Sequence, residues 1–217
     1  MRRESVRKSV ADYIKEQIFE GKVAPGERVP QSDVAAALGV SNTPVREALM
    51  ALEHEGLVTI ELHRGAFVNA FDAASVRDQY ELFALMFGWA VRRVIERAPP
   101  EFVDDLVALG RRFKKSTEPA EIYALMTIFT ERLQEYAGRD WRRLLDTLPR
   151  LVPGVAFYAE IPGAIDAAAN HVEPIARAVK RGDVDDAVSS VERMMLHHGE
   201  ALIRELDRRQ LLEPAGT

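Results

Sequence analysis

The chain has 217 residues, of which 47% are hydrophobic and 29% charged, with a formal net charge of -5 and no cysteine. That length holds one large domain, or a small one joined to a medium one, each able to bury its own core. Without cysteine there are no disulfides, thiolate metal sites or cysteine nucleophiles. No run approaches the roughly 18 apolar residues that cross a bilayer, and the basic start MRRESVRKSV leads into an amphipathic pattern rather than an apolar signal core. A cytoplasmic protein with no membrane partner is expected. The negative charge argues against indiscriminate coating of nucleic acid. Residues 1 to 70 carry 9 Lys and Arg against 10 Asp and Glu, so any DNA contact must come from placement, with Arg2, Arg3, Arg7, Lys8, Arg46 and Arg64 sharing a face.

Val6, Val10, Ile14 and Ile18 recur at four-residue steps, one apolar stripe on a helix closed by Gly21. APGERVP forces a turn, because proline fixes φ and glycine tolerates positive φ. A second helix is predicted from Gln31 to Leu38. Small Ala35 and Gly39, with Val34, Leu38, Val40 and Val45 around them, have the sequence shape of a helix-turn-helix. The third helix is read as opening at Thr43, whose hydroxyl can cap free backbone N–H groups, with Pro44 at the first helical position. It runs to about His54, buries Val45, Ala48, Leu49 and Leu52, and stops at Gly56. LVTIEL and GAFVNA read as two short strands joined through His63, Arg64 and Gly65, a hairpin.

Beyond NAFDAASV the pattern is helical throughout. From Ala73 to Arg97, Val76, Tyr80, Phe83, Phe87, Ala90 and Val94 line one face, and Leu82, Leu85, Met86 and Trp89 widen it enough to predict a helix buried on two sides. Pro99-Pro100 starts the next helix, Ser116 or Thr117 the one after, and YAGRDW marks a break before a shorter one. PRLVPGVAFYAEIPG reads as an irregular link and the last few residues as disordered. Two final helices, 163 to 181 and 184 to 209, flank Gly182-Asp183. The expected fold is therefore mainly α: an N-terminal winged helix-turn-helix with a two-stranded wing over residues 1–70, then an all-α antiparallel bundle of about six helices over 71–217.

There is no Gly-rich phosphate loop, nucleophile elbow, HExxH pair or paired-carboxylate motif, so no enzyme is expected. His171, His197 and His198 lack an acidic partner at fixed spacing and read as ordinary surface or core histidines. Glu and Arg in RELDRRQ read as a solvated last turn.

PGERVPQSDVAAALGVSNTPVREALMALEHEGLVTIELHRGAFVNAF resembles the winged-helix domain of GntR-type bacterial transcription regulators, through PGE, LGVS, TPVREAL, EGLV and RGAFV in order. The remainder, from DAASVRDQYEL to VKRGDVDDAVSSVERMMLHHGEAL, resembles the helical effector-binding domain of the FadR subfamily, called FCD. The resemblance implies a homodimer that reads palindromic double-stranded DNA, with the third helix in the major groove and the wing at the minor groove. On that basis Ser41, Asn42, Thr43 and Arg46 become helix contacts and His63, Arg64 and Gly65 the wing. A helix N-terminus suits phosphate, and Arg46 suits guanine or phosphate. Asn42 stands where the family usually has Arg, and Asn pairs with adenine where Arg pairs with guanine, so the operator is expected to differ at that base pair.

Many FCD domains hold a divalent metal through one Asp and three His. The matching positions here are Met126, Thr130, Val172 and Met194, poor donors for such an ion, with His171 and His197 close by in sequence. A family Arg and Glu on the domain's first helix are replaced by Phe83 and Phe87. No metal and no other cofactor are therefore expected, and an apolar pocket lined by Phe83, Phe87, Met126, Thr130, Val172, Met194 and His197 is read in their place. The expected function is a ligand-responsive repressor whose effector is an apolar or amphipathic carboxylate such as a fatty acid or acyl-CoA. The alternatives are a ligand-independent dimeric repressor and a metal-dependent sensor of a small organic acid.

Overall fold

The computed structural model describes residues 2–147, 161 and 164–213. Among them are nine helices and one two-stranded sheet: α1 Arg2–Phe19, α2 Gln31–Leu38, α3 Asn42–His54, β1 Val58–Glu61, β2 Gly65–Val68, α4 Ala73–Arg97, α5 Pro100–Lys115, α6 Pro119–Ala137, α7 Arg139–Thr147, α8 Ala164–Arg181 and α9 Val184–Arg208. The mainly helical class, the two-stranded wing and the helical C-terminal part agree with the sequence reading. The expected link at 149–163 and the expected disordered end fall outside the described residues, apart from Ile161.

The described residues form two compact units, 2–73 with 205–213, and 74–147 with 161 and 164–204. The residues that close α9 and follow it thus belong with the N-terminal unit, although sequence order sets the division at 70. Phe71 and Leu211 to Glu213 pair backbone to backbone, and the Phe19 and Phe71 rings meet at 5.5 Å. Glu205, expected in a solvated turn, is buried. Its carboxylate accepts from Arg208 and Arg209, and Arg209 also donates to the Phe19 carbonyl at 2.7 Å. The hydrogen bond from Arg208 is the largest influence holding the Glu205 carboxyl below its usual range. That stabilisation is lost as pH falls through the folded value.

In the first unit, Val10, Ile14 and Ile18 of α1 face Val45, Ala48, Leu49 and Leu52 of α3, all buried. Burying each Val, Ile or Leu side chain contributes about 1.5 to 3 kcal/mol. Lys15, also buried, pairs with Glu55 just past α3 at 2.5 Å. The helix-turn-helix is closed by Gly39 in the left-handed region, φ 62°.

The second unit packs Phe87, Ala90, Val91 and Val94 of α4 with Leu106 and Phe113 of α5, Ile122 and Phe129 of α6, Val172 and Ile175 of α8, and Val191 and Met194 of α9. Two sequence expectations are corrected here. Helix α6 begins at Pro119, with Glu118 in the cap position, while Ser116 ends α5 and donates its hydroxyl to Glu121 at 2.8 Å. A proline fits a helix start because the first N–H groups have no internal partner. On α4, Leu82, Leu85 and Trp89 are exposed by 50%, 67% and 46%, so the second apolar face stands open in the single chain instead of being buried. Tyr80, on the inner side, is pushed up to about 12 by burial.

Candidate DNA interface and effector pocket

Helix α3 starts two residues earlier than its sequence suggests, at Asn42 instead of Pro44. Ser41 is the extended residue before it, φ -78° and ψ 170°, without a side-chain cap bond. Thr43 and Pro44 therefore lie inside the first turn, where proline's missing N–H still costs nothing. Ser41, Asn42, Thr43 and Arg46 are all exposed on this end of the helix. Arg46 makes no ion pair or hydrogen bond among the described residues, so its guanidinium is free to meet a ligand.

The wing is antiparallel, with Val58 opposite Val68 and Glu61 opposite Gly65. Leu62, expected in the strand, is in the turn instead and is 83% exposed. His63 adopts positive φ, 62°, and Gly65 φ 115°, because three residues must reverse the chain within one strand spacing. Arg64 pairs with Glu61 and stacks over Phe67, 5.3 Å from its ring centre. His63 and Arg64 thus stand at the exposed tip.

Two hydrogen bonds tie the wing to α3 and to the turn after it, and a third lies within the wing. Ile60 N–H donates to the Glu53 carboxylate at 2.8 Å, Asn69 Nδ2 donates to the Gly56 carbonyl at 2.8 Å, and Thr59 Oγ1 donates to Asn69 Oδ1 at 2.8 Å. The helix end and the wing are one rigid piece. Asn42 and Arg46 share a polar cleft of about 450 Å³ with Arg28, Gln31, Ser32 and Asp33. Sequence reasoning misses Arg28. Its charge is visible in the chain, but its pairing with β2 is not local.

Residues 6–68 match the family described as bacterial regulatory proteins, gntR family, and residues 78–197 match the FCD domain. The chain belongs to the gntR family, with an FCD domain. It is 29% identical over 206 residues to an HTH-type transcriptional regulator of Mycobacterium tuberculosis, covering 94% of this chain and 84% of that one. Over 73 residues, 34% of this chain and 32% of the other, it is 33% identical to the HTH-type transcriptional repressor RspR of Escherichia coli. The fold is similar to that of Escherichia coli McbR/YncC, with a TM-score of 0.65 at 18% identity, covering 92% and 97% of the two chains. This gntR-family member is a DNA-binding transcription regulator with an effector-binding FCD domain, and its family and relatives are regulators, not enzymes. No described helix is long and apolar enough to cross a membrane.

In the FCD domain the structure places the four residues that the sequence reading set against the family's metal ligands in and beside an apolar core. Val172 and Met194 are fully buried in the apolar core, and Met126 packs against it. Thr130 is half-buried on α6. Among the described residues no three His, Cys, Asp or Glu converge as a metal site. Phe87 is buried edge-on against Trp141 at 5.3 Å, and Phe83 is half-buried against Tyr80. His197 is exposed, unlike the buried Phe87, Val172 and Met194 of the expected pocket, with Nδ1 3.4 Å from Nε2 of His171.

That histidine pair has its own pH signature. Desolvation lowers the His171 pKa below its ordinary 6.5, assisted by His197 and Arg193. The unfolded chain then binds more protons than the folded one just below that value, so stability falls as the solution is acidified. His171→Asn should flatten the decline in melting temperature between about pH 7 and about pH 5. Thermal melts in matched buffers check it, and an equally steep decline would count against the pair.

Proposed function

We propose that this regulator is a homodimeric repressor in which residues 1–70 read a palindromic operator and residues 71–217 respond to a small ligand. The observation that carries the DNA part is the free, exposed Arg46 beside Asn42 at the start of α3, held rigidly to the wing by Glu53 and Asn69. Ser41, Asn42, Thr43 and Arg46 address the major groove, while His63, Arg64 and Gly65 address the minor groove. RspR, named as a repressor, is 33% identical over a 73-residue stretch. Dimerisation is supported by Leu82, Leu85 and Trp89, an exposed apolar row on one face of α4.

The proposed effector is an apolar or amphipathic carboxylate such as a fatty acid or acyl-CoA. Its support is the apolar character of the positions where the family places charged groups and metal ligands: Phe83, Phe87, Met126, Val172 and Met194. Ligand shifts operator affinity only through its different affinity for two arrangements of the dimer, and a typical coupling is about 1 to 3 kcal/mol, or about 5- to 150-fold. A second reading, a ligand-independent dimeric repressor, is favoured by the full burial of Val172 and Met194 within a packed core.

A panel of ligands separates the two. Acyl-CoAs and free fatty acids should raise the melting temperature and change operator affinity in a gel-shift titration, while citrate and gluconate should do neither. No shift with any acyl compound favours the ligand-independent repressor, and a response to citrate alone overturns the apolar effector.

A further inference from the structure

The segment before α2 is part of the wing. Gly26 N–H donates to the Val68 carbonyl and Val29 N–H to the Ala66 carbonyl, both at 2.8 Å, and Val68 N–H donates to the Glu27 carbonyl at 2.9 Å. Arg28 thereby lies opposite Phe67 of β2. Its side chain runs across Gly65, so closely that a Cβ there would sit 2.5 Å from Arg28 Nε and 3.2 Å from Nη2. The same residue lines the cleft that holds Asn42 and Arg46. Arg28 is exposed and, unlike Arg64, forms no ion pair among the described residues. Its guanidinium is thus a free cation between the helix that enters one groove and the wing that enters the next.

What separates a major groove from the adjacent minor groove is the sugar-phosphate strand itself, and contacts to it set register rather than sequence. A cation between the two probes meets that strand. Asp33 in the same cleft opposes an anion, and Arg28 and Arg46 together outweigh it. We propose that Arg28 is a further DNA contact of each protomer, binding a backbone phosphate between the α3 and wing contacts. The inference rests on the groove-reading roles of α3 and the wing. Arginine suits it because its planar fork matches two phosphate oxygens.

The test is a fluorescence-anisotropy titration of the full chain at several KCl concentrations. The probes are a duplex selected from a random library by the wild-type protein and a scrambled duplex. Arg28→Met keeps an apolar stem over Gly65 but removes the charge. It should weaken both duplexes by roughly tenfold for each protomer's contact and reduce the slope of log K against log salt by about 1 for each phosphate it leaves without a cation. Arg28→Lys should keep most of the slope. An unchanged slope in Arg28→Met, with a wild-type melting temperature, overturns the proposal, as does a weakening confined to the selected duplex, which marks a base reader. Arg28→Gln gives the same decision if Arg28→Met melts low. Arg46→Ala, run alongside, tests the underlying reading separately. Retained selectivity in that variant would remove the α3 assignment, while the Arg28 slope would still report its own phosphate.

Discussion

Arg46→Ala is expected to abolish selective operator binding while leaving the fold intact. A bidentate contact to a base edge contributes about 1 to 3 kcal/mol of discrimination. In the proposed dimer the loss is doubled, to about 2 to 6 kcal/mol, or roughly thirtyfold and upward. The fold should be untouched because Arg46 is exposed and the buried face of α3 consists of Val45, Ala48, Leu49 and Leu52. Arg46→Lys separates charge from geometry. Lysine retains attraction to phosphate but loses the guanidinium fork, so binding to the scrambled duplex should persist while selectivity falls. Gel-shift titrations with both duplexes read the two quantities, and unchanged selectivity in Arg46→Ala would remove α3 from the major groove. Asn42, exposed beside it, should direct the selected sequence toward adenine.

Gly110→Val should cost the FCD domain about 3 kcal/mol. Helices α5 and α8 approach closely at this glycine. A Cβ built there lies 3.0 Å from the Glu173 Cα and 3.5 Å from the Ala176 Cβ. The obstacle is backbone, which cannot rotate away as a side-chain tip can. Alanine at this position gains about 1 kcal/mol of helix propensity over glycine, so Gly110→Ala sets a favourable local term against a contact only a few tenths of an ångström too tight, and its net effect should be small. Valine adds two methyl groups and loses that propensity gain, so the helices must separate. For a domain of this size the melting temperature should fall by about 6 to 12 °C, measured by calorimetry. A melting temperature equal to wild type would show that the two helices part freely. Glu173 sharpens the test. It is buried yet accepts from Arg177 at 2.6 Å and lies 3.5 Å from Lys114 on α5, so separating the helices also loosens its pairing with Lys114.

Much of the N-terminal unit is legible in the sequence because its signals are local. Gly39 and Gly56 adopt positive φ, as chain reversals require, and the apolar stripes on α1 and α3 recur at the helical period with their residues buried. The helix starts depart from the sequence reading in one way. Thr43 and Ser116 carry the hydroxyls a cap can use, but Ser41 and Glu118 hold those positions. Several residues near a helix start can supply an oxygen, and only the backbone angles choose among them. Leu82, Leu85 and Trp89 show a different gap. Their pattern gives an apolar face, but not whether the same chain covers it.

The sequence by itself determined the winged helix-turn-helix, the helical FCD domain and the membership of the gntR family, because periodicity, glycine placement and motif order act over a few residues. Only the tertiary structure decided the rest. It laid Arg28 across Gly65, brought Nε2 of His171 within 3.4 Å of Nδ1 of His197, and placed Glu205 and the residues after it with the N-terminal unit. Each of these joins residues far apart in the chain. Such contacts depend on how whole elements pack, and no repeat or propensity along the sequence encodes them.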